Sequence, residues 1–416
     1  MASLDGLKVV DLSRVLGGPL CAQILGDHGA DVVKVEGPAG DETRTWGPPF
    51  NDAGMASYFA GINRNKRTVC VDLSEPEGRD VVMRLLQDAD VLVENFKVGT
   101  LERWGMGYDE VLRERFPRLI HCRVTGFGAT GPLGGLPGYD AAVQALSGLM
   151  SINGDPEGVA TRMGVPIVDV TTGLNAVIGI LMALHERERS GRGQSVESAL
   201  FDSALFSLYP HSINTLFTGR APQRSGNGHP NIAPYDTYAT ATEPIYLAVG
   251  NNGQFQRLCE AVGHAHLAED ERYATNAQRA VHRFELKKDL QSAFSSFDAQ
   301  TLFRKLVAVG VPCGVIQNVV DALAHLRRDD AAVLDIAIGG VDAGRRRMRR
   351  EEAEQRPQLV LDDQRVPLAA AGRRSSSAAR RPATACGRRR SARAPCRCWA
   401  RPACRRNRSR SCWSGA

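Results

Sequence analysis

Between residues 7 and 124, five short apolar runs (LKVVDLS, ADVVKVE, RTVCVDL, DVLVENF and RLIHCRV) alternate with stretches of helical character. Apolar runs this short, separated by helical stretches of about 10–15 residues, predict parallel strands joined by crossover helices. The expected fold class is therefore α/β, doubly wound. Residues 20–29 read as the first crossover helix, entered through a Gly17-Gly18-Pro19 turn and stopped by Gly29. SEPEGRDVVMRLLQDA reads as another, with Ser74 as its N-cap and Glu77 completing a capping box.

Further along, GFGATGPLGGLPGYD (126–140) is too rich in Gly and Pro to be a regular element and reads as a loop. Residues 141–152 are apolar at helical spacing, and TTGLNAVIGILMALHERERSG is a long helix closed by Gly191. QSVESALFDSALFSLY begins another helix after a short strand. Composition shifts to Gly, Pro, Asn and Arg around 215–232. This predicts a large domain over 1–215, a linker over 216–232 and a smaller α/β domain over 233–325, in which PYDTYAT and PIYLAVG pair as strands.

Residues 326–416 are atypical. The stretch 371–416 holds 14 Arg and no Lys, Asp or Glu; without those arginines the net charge of +6 becomes −8. A segment with almost no Ile, Val, Leu or Phe cannot offset chain entropy by burial. Its Arg, Ala, Pro, Cys and Ser are what out-of-frame reading of GC-rich DNA yields, so from about residue 340 the chain is expected to be disordered or frame-shifted. No nucleic-acid partner is expected. The body cysteines match no zinc or disulfide spacing, and no metal is expected. No apolar run reaches the roughly 18 residues of a membrane span, and the N-terminus lacks the parts of a secretory signal. The expected compartment is the cytoplasm.

Several residues carry candidate chemistry. Gly17-Gly18-Pro19 between strand and helix suits a phosphate at a helix N-terminus, with Glu36 some 20 residues on as a ribose acceptor, although the turn is not GxGxxG. The cations Arg64, Lys66 and Arg67 suit phosphates, or a solvated turn. Asn95 and Phe96 lie at a strand end, where open parallel sheets bind ligands. Asp169 is a lone carboxylate in the apolar run VPIVDV. It reads as the N-cap of the long helix, or as an ionised nucleophile toward a thioester. Gly250-Asn251-Asn252-Gly253-Gln254 follows an apolar strand and can form left-handed turns over a ligand.

From about residue 4 to 325 these stretches, in this order, resemble the family III acyl-CoA transferases (CaiB/BaiF type). The quoted motifs include LDGLKVVDLSRVLGGP, GADVVKVE, GDETRTWGPPF, NRNKRTVCVDL, DVLVENF, GFGATGP, PGYDAAVQALSGLMSINGDP, GVPIVDVTTG, SGRGQSVESALFD and AVGNNGQF. DETRTWGPPF, GHPNIAPYDTY and VGNNGQF are most similar to the members that move CoA from succinyl-CoA to glutarate and similar dicarboxylates. The resemblance implies an interlocked homodimer, each subunit with a large Rossmann-like domain and a small one. It implies acyl-CoA and carboxylic acid as substrates, with no further cofactor. It makes Asp169 the nucleophile, forming mixed anhydrides and an aspartyl-CoA thioester. It assigns Val15, Leu16, Pro19, Lys66, Arg67, Asn95, Phe96 and Tyr139 to CoA, and Gly250 to Gln254 to a loop shielding the intermediate. Departures are Gly37, where many members have Arg, Asn251 and Asn252 in the glycine loop, and the lost C-terminal pattern after about 325. An acyl-CoA racemase of the same fold is disfavoured because Tyr139 stands where racemases carry His. A non-catalytic CoA-binding remnant is the other alternative.

Overall fold

The computed structural model describes residues 2–326. The atypical segment from 327 on lies outside the described residues. The chain runs β1 (Lys8–Asp11), α1 (Gly17–Asp27), β2 (Asp31–Glu36), α2 (Ser57–Ile62), β3 (Lys66–Cys70), α3 (Pro76–Leu85), β4 (Val91–Glu94), α4 (Thr100–Arg103), α5 (Arg113–Arg115) and β5 (Ile120–Thr125). After a loop come α6 (Asp140–Ser147), α7 (Leu149–Ile152), α8 (Ile167–Ser190), β6 (Ser195–Ala199), α9 (Leu200–Phe206) and α10 (His211–Thr218). Strands β1 to β6 form a six-stranded sheet in the order β3-β2-β1-β4-β5-β6, every pair parallel.

Alternate residues of each strand point to opposite faces, so each face builds its own core. On one face Val9, Val32, Val91, Val93, Ile120 and Cys122 pack on Ala22 and Leu25 of α1 and on Val168, Ala176 and Ile180 of α8. On the other, Val10, Leu12, Val35 and Leu92 pack on Val82 and Met83 of α3 and on Leu101 and Leu112. Each such fully buried aliphatic side chain contributes about 1.5–3 kcal/mol. Helix α8 has the length and apolarity of a membrane span, yet its inner face is built into this core. Gly173 lets it lie close to α1, since a methyl there would stand 2.8 Å from the Gly17 carbonyl oxygen.

A three-stranded antiparallel sheet follows, ordered β7 (Tyr235–Tyr238), β8 (Ile245–Ala248), β9 (Cys313–Val315). Between β8 and β9 the chain forms α11 (Asn252–Ala261), α12 (His266–Glu269), α13 (Asn276–Val281), α14 (Arg283–Phe294) and α15 (Ala299–Ala308), and it continues as α16 (Val319–Leu326). Leu247, Phe255, Leu258, Leu290, Leu302 and Leu306 make a separate core there.

Three local expectations are corrected. Gly17-Gly18-Pro19 is the first turn of α1 itself, not a turn ahead of it. Ser74 does not cap α3: its hydroxyl and amide both donate to Asp72 Oδ1, at 2.6 and 2.9 Å, and the helix starts later with Pro76 in its first turn. Proline suits that position because its missing N–H is one the helix would leave unpaired anyway. Lys66 and Arg67 are the opening residues of β3 rather than part of a loop.

Candidate active site

The connection from β1 to α1 is held from several sides. Asn95, just past β4, grips the backbone of Arg14: its Oδ1 accepts the Arg14 N–H at 2.8 Å and its Nδ2 donates to the Arg14 carbonyl at 2.7 Å. The next residue, Val15, has φ +70°. A β-branched residue in that region is strained and persists only where its surroundings enforce it. Leu16 and Pro19 are buried, and the exposed Arg14 places its guanidinium 5.9 Å from the centre of the Phe96 ring. Phe96 also packs edge-on against Trp104.

Below this turn lies a buried ionic cluster. Lys66 Nζ donates to Asp11 Oδ2 at 2.9 Å, to the Pro19 carbonyl at 2.7 Å and to Asn63 Oδ1 at 2.9 Å. Burial pushes the Lys66 ammonium down to about 8, against the pull of Asp11. Lys34 Nζ donates to the Ser13 carbonyl at 2.7 Å and pairs with Asp41 at 3.0 Å. Arg67 is on the strand edge and forks onto Asp31 at 2.8 Å. Both cations of the RTVCVDL approach thus have protein partners, Lys66 beneath the turn and Arg67 away from it. Glu36, the candidate ribose acceptor, is also engaged: it accepts from Arg44 Nε at 2.7 Å and Nη2 at 2.8 Å and from the Asp41 N–H at 2.7 Å.

Asp169 is brought to this turn by the close packing of α8 on α1. A methyl on Gly17 would lie 3.5 Å from Asp169 Oδ1 and 3.5 Å from its carbonyl oxygen. Asp169 is not the N-cap of α8. Pro166 holds that position, and Asp169 belongs to the first turn. The carboxylate that caps the helix comes from elsewhere: Asp140 Oδ2 accepts the N–H of Val168 at 2.8 Å and of Asp169 at 3.1 Å. The expectation of a plainly ionised Asp169 changes accordingly. Burial raises its carboxyl from the ordinary range to about 7, and the Asp140 charge adds to the rise. Burial raises the phenol of Tyr58 in α2, with the charges of Asp169, Asp140 and Asp41 contributing.

Tyr139 immediately precedes α6 and is largely exposed. It and Asp140 are delivered by the 126–138 loop, whose two ends touch. A methyl on Gly126 would lie 2.5 Å from the Gly138 nitrogen and 2.8 Å from its Cα. Gly126→Ala must therefore part the loop ends and shift Asp140 from α8. We expect a loss of about 1–3 kcal/mol in urea unfolding, as for other overpacked sites, together with slower turnover. Wild-type values for both would show that the loop ends need not touch.

Gly250 and Asn251 lead from β8 into α11, and Asn252, Gly253 and Gln254 form the first turn of that helix. No left-handed glycine forms there. Instead Asn251 caps α11, accepting the Gln254 N–H at 2.9 Å, while Gln254 Oε1 accepts the Gly250 N–H at 2.8 Å and Asn252 Oδ1 accepts from Arg279 at 2.9 Å. These bonds stay within the loop, α11 and α13; none of them reaches Asp169. The geometry thus gathers Val15, Leu16, Pro19, Lys66, Asn95, Phe96 and Asp169 around one turn and joins Tyr139 to them through Asp140. Sequence reading missed Asp140, Gln144 and Tyr58. Tyr58 follows the quoted DETRTWGPPF stretch by a few residues, but nothing in its spacing marked it.

A family model described as CoA-transferase family III matches residues 4–340. A succinate–glutarate CoA-transferase of Agrobacterium fabrum is 44% identical over 327 residues, covering 77% of this chain and 82% of that protein. A succinyl-CoA:mesaconate CoA-transferase of Haloarcula hispanica is 39% identical, covering 82% and 87%. The crystal structure of a CaiB/BaiF family protein from Brucella suis superposes with a TM-score of 0.69 at 45% identity, covering 78% of this chain and 86% of that one. With a family model over most of its length and relatives at this level of identity, the chain belongs to CoA-transferase family III.

Proposed function

We propose that this protein transfers CoA from succinyl-CoA to a dicarboxylic acid, with glutarate as the first candidate acceptor, through a covalent aspartyl-CoA thioester on Asp169. The observation that carries this reading is the placement of the Asp169 carboxyl, half-buried, against the start of α1 and beside the strained Val15 turn. The relatives named for succinate, glutarate and mesaconate support the substrate class.

In the proposed cycle a carboxylate oxygen of Asp169 attacks the donor thioester carbonyl. The C–S bond breaks, leaving a mixed anhydride and CoA thiolate. The thiolate attacks the aspartyl carbonyl, the anhydride C–O bond breaks, and the donor acid leaves as its carboxylate. The acceptor carboxylate then attacks the aspartyl thioester, and the freed thiolate takes the acceptor acyl group. Asp169 ends as it began, and no net proton moves. Splitting the exchange lets each step use a good leaving group. The Val15, Leu16, Pro19, Asn95 and Phe96 surface would hold CoA, with Arg14 offering an exposed cation over Phe96. Gly250 to Gln254 would keep water from the anhydride.

The expected assembly is a homodimer in the cytoplasm. Leu174, Ile178, Leu181 and Met182 on α8, and Leu216 and Phe217 on α10, are all exposed, Phe217 at 87%. Apolar area of this extent supports a partner subunit. The test is to incubate the protein with succinyl-CoA, quench with hydroxylamine and map the modified peptide. A hydroxamate on Asp169 is expected, with CoA appearing on glutarate in a panel of dicarboxylates. Turnover with the label on another residue would refute the assignment.

A further inference from the structure

Asp140 is 8% exposed, and each of its carboxylate oxygens is engaged. Oδ2 receives the backbone N–H groups of Val168 and Asp169, and Oδ1 accepts from Gln144 Nε2 at 2.5 Å. Gln144 is fully buried, and its Oε1 accepts the Met163 N–H at 2.9 Å. A chain of polar contacts thus runs from the segment before α8, through Gln144 and Asp140, back to the backbone of the residue read above as the nucleophile. A neutral acceptor would serve to cap α8. A second carboxylate beside a buried carboxyl is costly unless its charge has a use.

Resting on the nucleophile reading, we propose that Asp140 is a positioning residue whose charge favours the acylated, neutral state of Asp169 over the free carboxylate, while Gln144 fixes it in place. The reasoning is electrostatic linkage. Free Asp169 is an anion whose own backbone N–H, 3.1 Å from Asp140 Oδ2, is held by a second carboxylate, and that charge raises the Asp169 carboxyl as it does the Tyr58 phenol of α2. Once Asp169 is bound as anhydride or thioester its charge is gone, and so is the repulsion. Whatever makes the carboxyl hold a proton more tightly makes it hold an acyl or CoA group more tightly in the same sense, because both neutralise it. The price of this arrangement is a nucleophile that needs pH above about 7 to be fully ionised.

Asp140→Asn and Asp140→Ser keep an acceptor for the α8 N–H groups and remove the charge; Asp140→Glu keeps the charge. In the wild type the rate should rise through an acidic limb near pH 7. In the two neutral variants that limb should move about one unit lower, and the equilibrium fraction of enzyme carrying CoA on Asp169, read by intact mass at fixed acyl-CoA and acid, should fall roughly tenfold. Asp140→Glu should restore both. A folded neutral variant with an unmoved limb and an unchanged adduct fraction overturns the proposal and leaves Asp140 a simple cap. Should one neutral variant fail to fold, the other decides. Absence of any adduct on wild-type Asp169 would instead sink the nucleophile reading itself, so the two failures are distinguishable.

Discussion

Asp169→Ala is expected to bind acyl-CoA with nearly unchanged affinity and to lose CoA exchange by at least about 10⁴-fold. The methyl group of alanine cannot form the covalent link. The turn itself should survive, because it is fixed by Asn95, Lys66 and Lys34 rather than by Asp169. Calorimetry with CoA and an exchange assay with succinyl-CoA and glutarate check the two halves, and turnover within tenfold of wild type would end the assignment. Stability supplies an independent sign. Burial raises this carboxyl in the folded chain, so its ionisation opposes folding. The cost is absent below the ordinary carboxylate range, grows as the pH rises and is complete above about 7. The variant's melting temperature relative to wild type should therefore climb between pH 5 and pH 8.

Lys66→Met should be the most destabilising single change, by about 3–5 kcal/mol in urea or thermal unfolding. The side chain is fully buried against Asp11, and its three donors tie together β1, α1 and the end of α2. Truncating the ammonium leaves the fully buried Asp11 carboxylate with less compensation and frees the Pro19 carbonyl. Asp11 otherwise holds its proton less tightly than an ordinary carboxyl: its desolvation is outweighed by Lys66, Lys34 and the Ser13 hydroxyl together. CoA affinity should fall along with stability, since the Val15 turn rests on this cluster. A melting temperature within a degree or two of wild type would show that Lys34 alone can compensate Asp11.

Much of this was legible in one sequence, for physical reasons. The strands announce themselves because a sheet covered on both faces needs short runs that are mostly apolar, as in VVD, DVVKVE and VLVE. Asp169 stands out because a lone acid in such a run is expensive without a role. The electrostatic partners were not legible. Lys66 looked like an open phosphate ligand because Asp11, its counterion, lies 55 residues earlier and meets it only once β1, β2 and β3 are laid side by side. Asp140 looked like one acid at the end of a loop; its capping of a helix 28 residues on depends on how the 126–138 loop closes. Ser74 failed as a cap because Asp72, two residues away, captured its hydroxyl first. Nearest-neighbour chemistry can be read along a chain, but ion pairing across a sheet cannot.

The strand order of the larger sheet is the one many nucleotide-dependent oxidoreductases use, with an acid at the tip of the second strand to grasp adenosine. Here that acid, Glu36, is stoppered by Arg44, whose guanidinium also lies over Phe59, 3.9 Å from the ring centre. The fork and the aromatic lid together shut the berth in which the sugar of such a carrier would rest. An engineer wishing to convert this scaffold to hydride chemistry would have to begin by pulling that plug, not by redesigning the turn that follows β1.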